Sequence, residues 1–256
     1  MKIAINWIFF LCVIAVNALA NILPINGYNT GQVSGFYPNY FVPAGFTFSI
    51  WGIIYLLLLA YTIAFTYYTI NAIKFPKVQQ YLDKANPLFL LTCILNISWI
   101  FAWHYLQVEL SVIIMLFFLA ALCKIFIIAN KSIQGITFLQ SFLLITPFTV
   151  YLGWISVATI ANITALFVQF SWNGFGMDAI YWSSLMILVA IALGLHFLFK
   201  YNVIAYTMVI AWALWGIKAS QGKVKIINMC STAGLLILFA AMLLFILGQL
   251  RKRIAQ

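Results

Sequence analysis

Runs of roughly 20 apolar residues, almost free of charge, recur along the whole chain, and each is long enough to cross a ~30 Å hydrocarbon core as a helix. Lipid offers backbone amides no hydrogen-bond partner, so a spanning segment is either a helix or a strand of a closed barrel. Barrel strands alternate in polarity, and these runs do not. Composition points the same way: 66% of the 256 residues are hydrophobic and 6% are charged, where a soluble domain carries about a quarter charged. The expected fold class is an all-α multi-pass membrane protein.

Punctuation by Gly, Pro, Asn and Lys predicts helices over about 3–22, 46–70, 87–105, 110–130, 138–170, 179–199, 203–217 and 228–250, hence about eight spans. The first resembles a cleavable leader, but its apolar character continues through Leu23, which favours a retained helix. Pro147 is expected to kink the long fifth helix. The uncharged loop from Pro24 to Pro43, rich in Asn, Gly and Tyr, reads as an outer-face lid or binding loop.

Thirteen Lys and Arg against three acidic residues give a formal net charge of +10. The basic residues sit in short clusters at helix ends without a basic stripe, so nucleic acid is not an expected partner. They read instead as topology determinants and contacts to membrane lipids. With an inside amino terminus and eight spans, Lys2, Lys74, Lys77, Lys84, Lys124, Lys131, Lys200 and Arg251 to Arg253 fall inside. Both termini are then cytoplasmic, as in a protein of the cytoplasmic (inner) membrane. Lys218, Lys223 and Lys225 fall outside, against the rule, unless the short 203–217 helix does not fully cross.

Chemistry-bearing residues are sparse. Cys12, Cys93, Cys123 and Cys230 are scattered singly within apolar runs, without metal-ligand spacing. Asp83, Glu109 and Asp178 all fall in predicted loops, so none is an intramembrane proton carrier. No nucleophile is paired with a base, and no glycine loop suits a phosphate. His104 and His196 could each ligate haem iron, but they lie on different helices with no partner motif. What stands out is aromatic: the threshold Phe41–Leu59 carries Trp51 and Tyr55 one helical turn apart, on one face. Asn96, Trp99 and Trp103 share a face of the third helix, and Tyr151, Trp154 and Asn162 one of the fifth. Such rings read as a wall for a flat hydrophobic ligand, as core packing, or as an interfacial belt. The asparagines read as bridges between helices or as ligand contacts.

Three segments together resemble the TspO/MBR family, the tryptophan-rich sensory or translocator proteins. Pro43-Ala44-Gly45-Phe46 is similar to the family's PPxW loop, and Ile50-Trp51-Gly52-Ile53-Ile54-Tyr55 to its helix-two VWxxLY. Leu95-Asn96-Ile97-Ser98-Trp99 resembles LNxxW on helix three, and Tyr151-Leu152-Gly153-Trp154 with Ala158 and Asn162 resembles YLxW-xxx-A-xxx-N on helix five. The chain departs from the pattern at Phe46, which replaces the loop tryptophan, and in the spacing from there to Trp51. The motifs cover residues 1–170. They imply a TspO-like five-helix transmembrane bundle there, with 171–256 as a three-helix transmembrane extension.

The resemblance implies an integral membrane receptor or carrier for a porphyrin, a haem-like tetrapyrrole, a sterol or an isoprenoid. Its hydrophobic small molecule would lie beneath the 24–43 loop, lined by Pro43, Gly45, Phe46, Trp51, Tyr55, Asn96, Trp99, Trp103, Tyr151, Trp154 and Asn162. No cofactor is certain; porphyrin or haem enters only as such a ligand. A homodimer is a further implication. Two other readings stay open: an accessory subunit of a larger membrane complex, and an enzyme degrading porphyrins oxidatively with Trp51 and Trp154 as radical relays.

Overall fold

The structure, a computed structural model, describes residues 1–132 and 135–254. Among these residues there is no strand. The α-helices are α1 (Lys2–Ile22), α2 (Thr30–Gly35), α3 (Ile50–Ile70), α4 (Pro76–His104), α5 (Val108–Ser132), α6 (Phe138–Leu144), α7 (Thr146–Gln169), α8 (Ala179–Tyr201), α9 (Ile204–Ser220) and α10 (Lys225–Ile254). Among the described residues seven spans, α1, α3 with the turn before it, α4, α5, α7, α8 and α10, are long and apolar enough to cross a membrane. This is a multi-pass all-α membrane protein. At 17 residues and 1.5 Å per residue, α9 rises about 25 Å, short of a ~30 Å core by an amount that local thinning absorbs at modest cost.

Two expectations about helix ends are corrected. The 71–86 segment is not a loop: α4 begins at Pro76, eleven residues before Pro87. Pro76 stands in the first turn, where its missing N–H costs nothing, and Pro87 is carried inside the helix. The 138–170 helix is broken in two at Ile145 rather than kinked. Pro147 cannot donate and disfavours a helical predecessor, so it suits the start of α7. A capping box between Thr137 and Gln140 starts α6 independently.

The chain forms two compact units, Met1–Phe36 with Ser49–Ile155, and Tyr37–Phe48 with Ser156–Gln256. The division therefore falls inside α7, and the 37–48 segment groups with the C-terminal helices. In the first unit α1 runs parallel to α4, as two contacts show. Lys2 Nζ pairs with Asp83 at 3.0 Å at one end, Asn17 meets Asn96 further along, and α3 runs the opposite way, with Trp7 Nε1 donating to Thr66 Oγ1 at 3.0 Å. Asn6, Phe10, Val13, Asn17 and Ala20, three or four residues apart, form the buried stripe of α1.

In the second unit α8, α9 and α10 pack on one another. Small residues let them approach: a Cβ at Gly234 would stand 2.6 Å from Ile191 Cδ1, and one at Gly194 3.1 Å from Leu238 Cδ2. Close approach of this kind supplies the van der Waals contact that holds helices together in lipid. Thr207 Oγ1 donates to the Gly194 carbonyl at 2.9 Å, and Phe197 stacks on Tyr206 at 3.8 Å. The 37–48 segment lies as a strap along α9. Ala44 N–H donates to the Gly216 carbonyl at 2.9 Å, and Trp212 Nε1 to the Thr47 carbonyl at 2.9 Å.

Candidate functional site

Two helix pairs of rings meet in the first unit. On α3, Trp51 and Tyr55 are stacked, 5.6 Å apart and 20° from parallel. On α4, Trp99 and Trp103 do the same at 5.8 Å and 15°. Both pairs follow from i, i+4 spacing, which sets side chains one above another. Trp51 and Trp99 join the pairs at 6.5 Å and 30°, so Tyr55, Trp51, Trp99 and Trp103 make one run of four near-parallel rings. From α7, Tyr151 and Trp154 each meet Trp51 edge-on at 82°, at 5.8 and 6.2 Å. Phe118 of α5 closes on Tyr151 at 5.1 Å and 81°. Edge-to-face contacts set positive ring edges against a negative π-face, each worth about 0.5–1.5 kcal/mol. Trp51 is the hub of the group and its least enclosed tryptophan, since Trp99, Trp103 and Trp154 are all buried.

A polar relay lies beside the rings. Asn17 Nδ2 donates to Asn96 Oδ1 at 2.6 Å, and Asn96 Nδ2 donates to the Tyr151 hydroxyl at 2.8 Å. One amide thereby ties α1, α4 and α7. The Tyr55 hydroxyl is buried near Asn96 but makes no hydrogen bond of ordinary geometry. Asn17 was not legible as a site residue from sequence; its signal is its place on the buried stripe of α1.

Part of the long loop closes over the end of α4. Asn26 and Gly27 take left-handed backbone, φ 55° and 81°, which turns the chain back toward His104. Asn26 Nδ2 donates to the His104 carbonyl at 3.0 Å. His104 is fully buried, and its Nδ1 lies 3.2 Å from the Ile25 carbonyl. A carbonyl only accepts, so Nδ1 carries the proton and Nε2 accepts from the Thr30 hydroxyl at 3.1 Å. Trp103 Nε1 donates to the Thr30 carbonyl at 3.2 Å. His104 is thus the clasp of the loop rather than an open metal donor. His104→Ala is expected to speed amide exchange across residues 25–36 by about thirtyfold, as the loss of two side-chain hydrogen bonds of about 1 kcal/mol each implies. Exchange mass spectrometry checks it, with α5 as the unaffected reference.

The remaining expected site residues belong to the second unit. Pro43 is buried against Gly216, whose added Cβ would stand 3.0 Å from Pro43 Cβ, and Gly45 is exposed. Phe46 packs on Trp212 at 5.6 Å and on Trp215 at 5.1 Å. Asn162 is buried on the part of α7 that belongs to this unit.

The family model described as TSPO-like protein matches residues 3–246. The chain belongs to the TSPO-like protein family. No match was found among curated proteins or among solved structures. The sequence motifs of this TSPO-like protein reach only to residue 170, yet the family match continues through α8 and α9 into α10.

Proposed function

We propose that this TSPO-like protein is a membrane receptor or carrier whose first unit takes a flat hydrophobic ligand among the rings around Trp51. The observation that carries the reading is the run Tyr55–Trp51–Trp99–Trp103, four near-parallel rings within an apolar helical group. A planar ligand gains most where it can lie against such faces, and a few polar groups then fix its orientation. The buried Tyr55 hydroxyl, set beside Asn96, suits the polar edge of that ligand. The residues fit a porphyrin-like ring better than an iron-ligated haem, because the unit's histidine is engaged at both nitrogens by the loop. In this reading residues 25–36 form the lid, and both termini face the cytoplasm.

Small molecules co-purifying with the full chain, identified by mass spectrometry, test the ligand class. A tetrapyrrole, sterol or isoprenoid at a fixed ratio to protein supports the reading. Protoporphyrin added to the purified protein should keep its absorption band under light and oxygen. Loss of that band with a new product would replace the receptor by an oxidative enzyme.

A further inference from the structure

A cavity away from the Trp51 rings lies in the first unit where α6 packs on α3. It measures about 600 Å³, within the range that holds a small-molecule ligand. Its floor is made by Ala60 and Ala64, one turn apart on α3, whose short side chains leave the space unfilled. Leu139 and Leu143 of α6 form the opposite wall. One end is different in character. Tyr67, Tyr68 and Phe75 line it as three rings in mutual contact, at 5.2, 6.1 and 5.0 Å. Gln140 and Thr137 add polar groups to the lining. Exposed Lys74 and Lys77 flank Phe75 in sequence. The nearest acid in sequence, Asp83, is already held by Lys2 and Gln79.

The groove's lining is apolar with an aromatic cluster near the end of α3, and two exposed lysines that do not line it flank Phe75 in sequence. That is the polarity profile of a phospholipid at the interface, chain inward and headgroup outward. The seating of α6 agrees with that depth: Phe138 and Phe142 stack on each other at 6.4 Å and remain 86% and 42% exposed, as expected for rings resting in the acyl–headgroup boundary. We propose that the α3–α6 groove binds one anionic phospholipid, with an acyl chain over Ala60 and Ala64 and its phosphate at Lys74 and Lys77. A neutral lipid fills the same walls but leaves both lysines without a counter-charge.

The test uses the full chain in nanodiscs of equimolar phosphatidylcholine and phosphatidylglycerol, released into mild detergent for native mass spectrometry. The wild type is expected to retain one phosphatidylglycerol in preference to phosphatidylcholine. Ala60→Trp from the floor and Leu139→Trp from the opposite wall should each remove the retained lipid. Lys74→Gln with Lys77→Gln, at two exposed positions that do not threaten folding, should keep a lipid but lower the preference by roughly an order of magnitude. Wild-type protein without a preference, or a preference unchanged in the lysine variant, overturns the proposal. Protoporphyrin binding in the lysine variant should match the wild type, which separates this site from the one at Trp51.

Discussion

Asn96→Leu is expected to destabilise the first unit. Leucine fills nearly the same space, so the cost is polar rather than steric. Asn17 Nδ2 loses its Asn96 acceptor at 2.6 Å and keeps only the Val13 carbonyl at 2.9 Å, and the Tyr151 hydroxyl loses its donor at 2.8 Å. Both groups are buried, and in a helical bundle neither can turn to water. A buried polar group left without its partner costs about 1–3 kcal/mol, while interhelical hydrogen bonds in membranes average nearer 0.6 kcal/mol. The two losses together come to about 2 kcal/mol, or a Tm lower by roughly 4–8 °C for a chain of this size. Asn17→Leu should cost a similar amount through the shared bond. The double variant should then cost clearly less than the sum of the two, because one bond is counted in both. Thermal unfolding in a fixed detergent, followed for all three variants, checks the prediction; strict additivity would mean the relay does not act as a unit.

Gly216→Ala should destabilise the second unit even though alanine is the better helix former. Propensity alone predicts a gain of about 1 kcal/mol within a helix. Against it, the new Cβ would stand 2.9 Å from Thr47 Cγ2 and 3.0 Å from Pro43 Cβ. Neither neighbour is the loose tip of a long side chain: Pro43 is a ring, and Thr47 is β-branched and fully buried. The strap must lift, weakening the Ala44 to Gly216 and Trp212 to Thr47 hydrogen bonds. Overpacking of this kind costs about 1–3 kcal/mol. Gly52→Ala on α3 is the matched control, since nothing lies within 4 Å of its added Cβ, and it should leave stability unchanged or raised. A lower Tm and faster proteolysis within 37–48 for Gly216→Ala alone would establish the close approach as the reason for glycine.

How far the sequence shows these features depends on how local their causes are. The stacked pairs Trp51–Tyr55 and Trp99–Trp103 follow from helical spacing within one element, and were readable as shared faces. That Trp51 joins them, with Tyr151 and Trp154 edge-on, needs the packing of three helices. The lipid-spanning lengths were equally local, which is why α5 and α8 match their expected spans closely. Pro147 was read as a kink, but its missing donor falls where Thr137 and Gln140 have already capped a separate short helix. Lysines at 74 and 77 suggested a loop, whereas the Pro76 first turn begins a helix of 29 residues. The strap was least legible of all. Thr47 and Trp212 are 165 positions apart, and only the depth of Gly216 against the strap explains why Phe46 turns to Trp212 and Trp215. His104, which carries no haem-ligand motif in sequence, holds the loop through both ring nitrogens.

The rings around Trp51 are either a binding wall or packing alone. Protoporphyrin titrated into the full-length protein, with tryptophan quenching as the readout, measures this most directly when wild type is compared with a Trp51→Leu, Trp154→Leu variant. Seven of the nine tryptophans remain in that variant, so a fluorescence signal persists to be quenched. Saturable quenching in the wild type, and a loss of at least tenfold in apparent affinity in the variant, is the predicted result. Saturable quenching of equal affinity in both proteins would contradict the site.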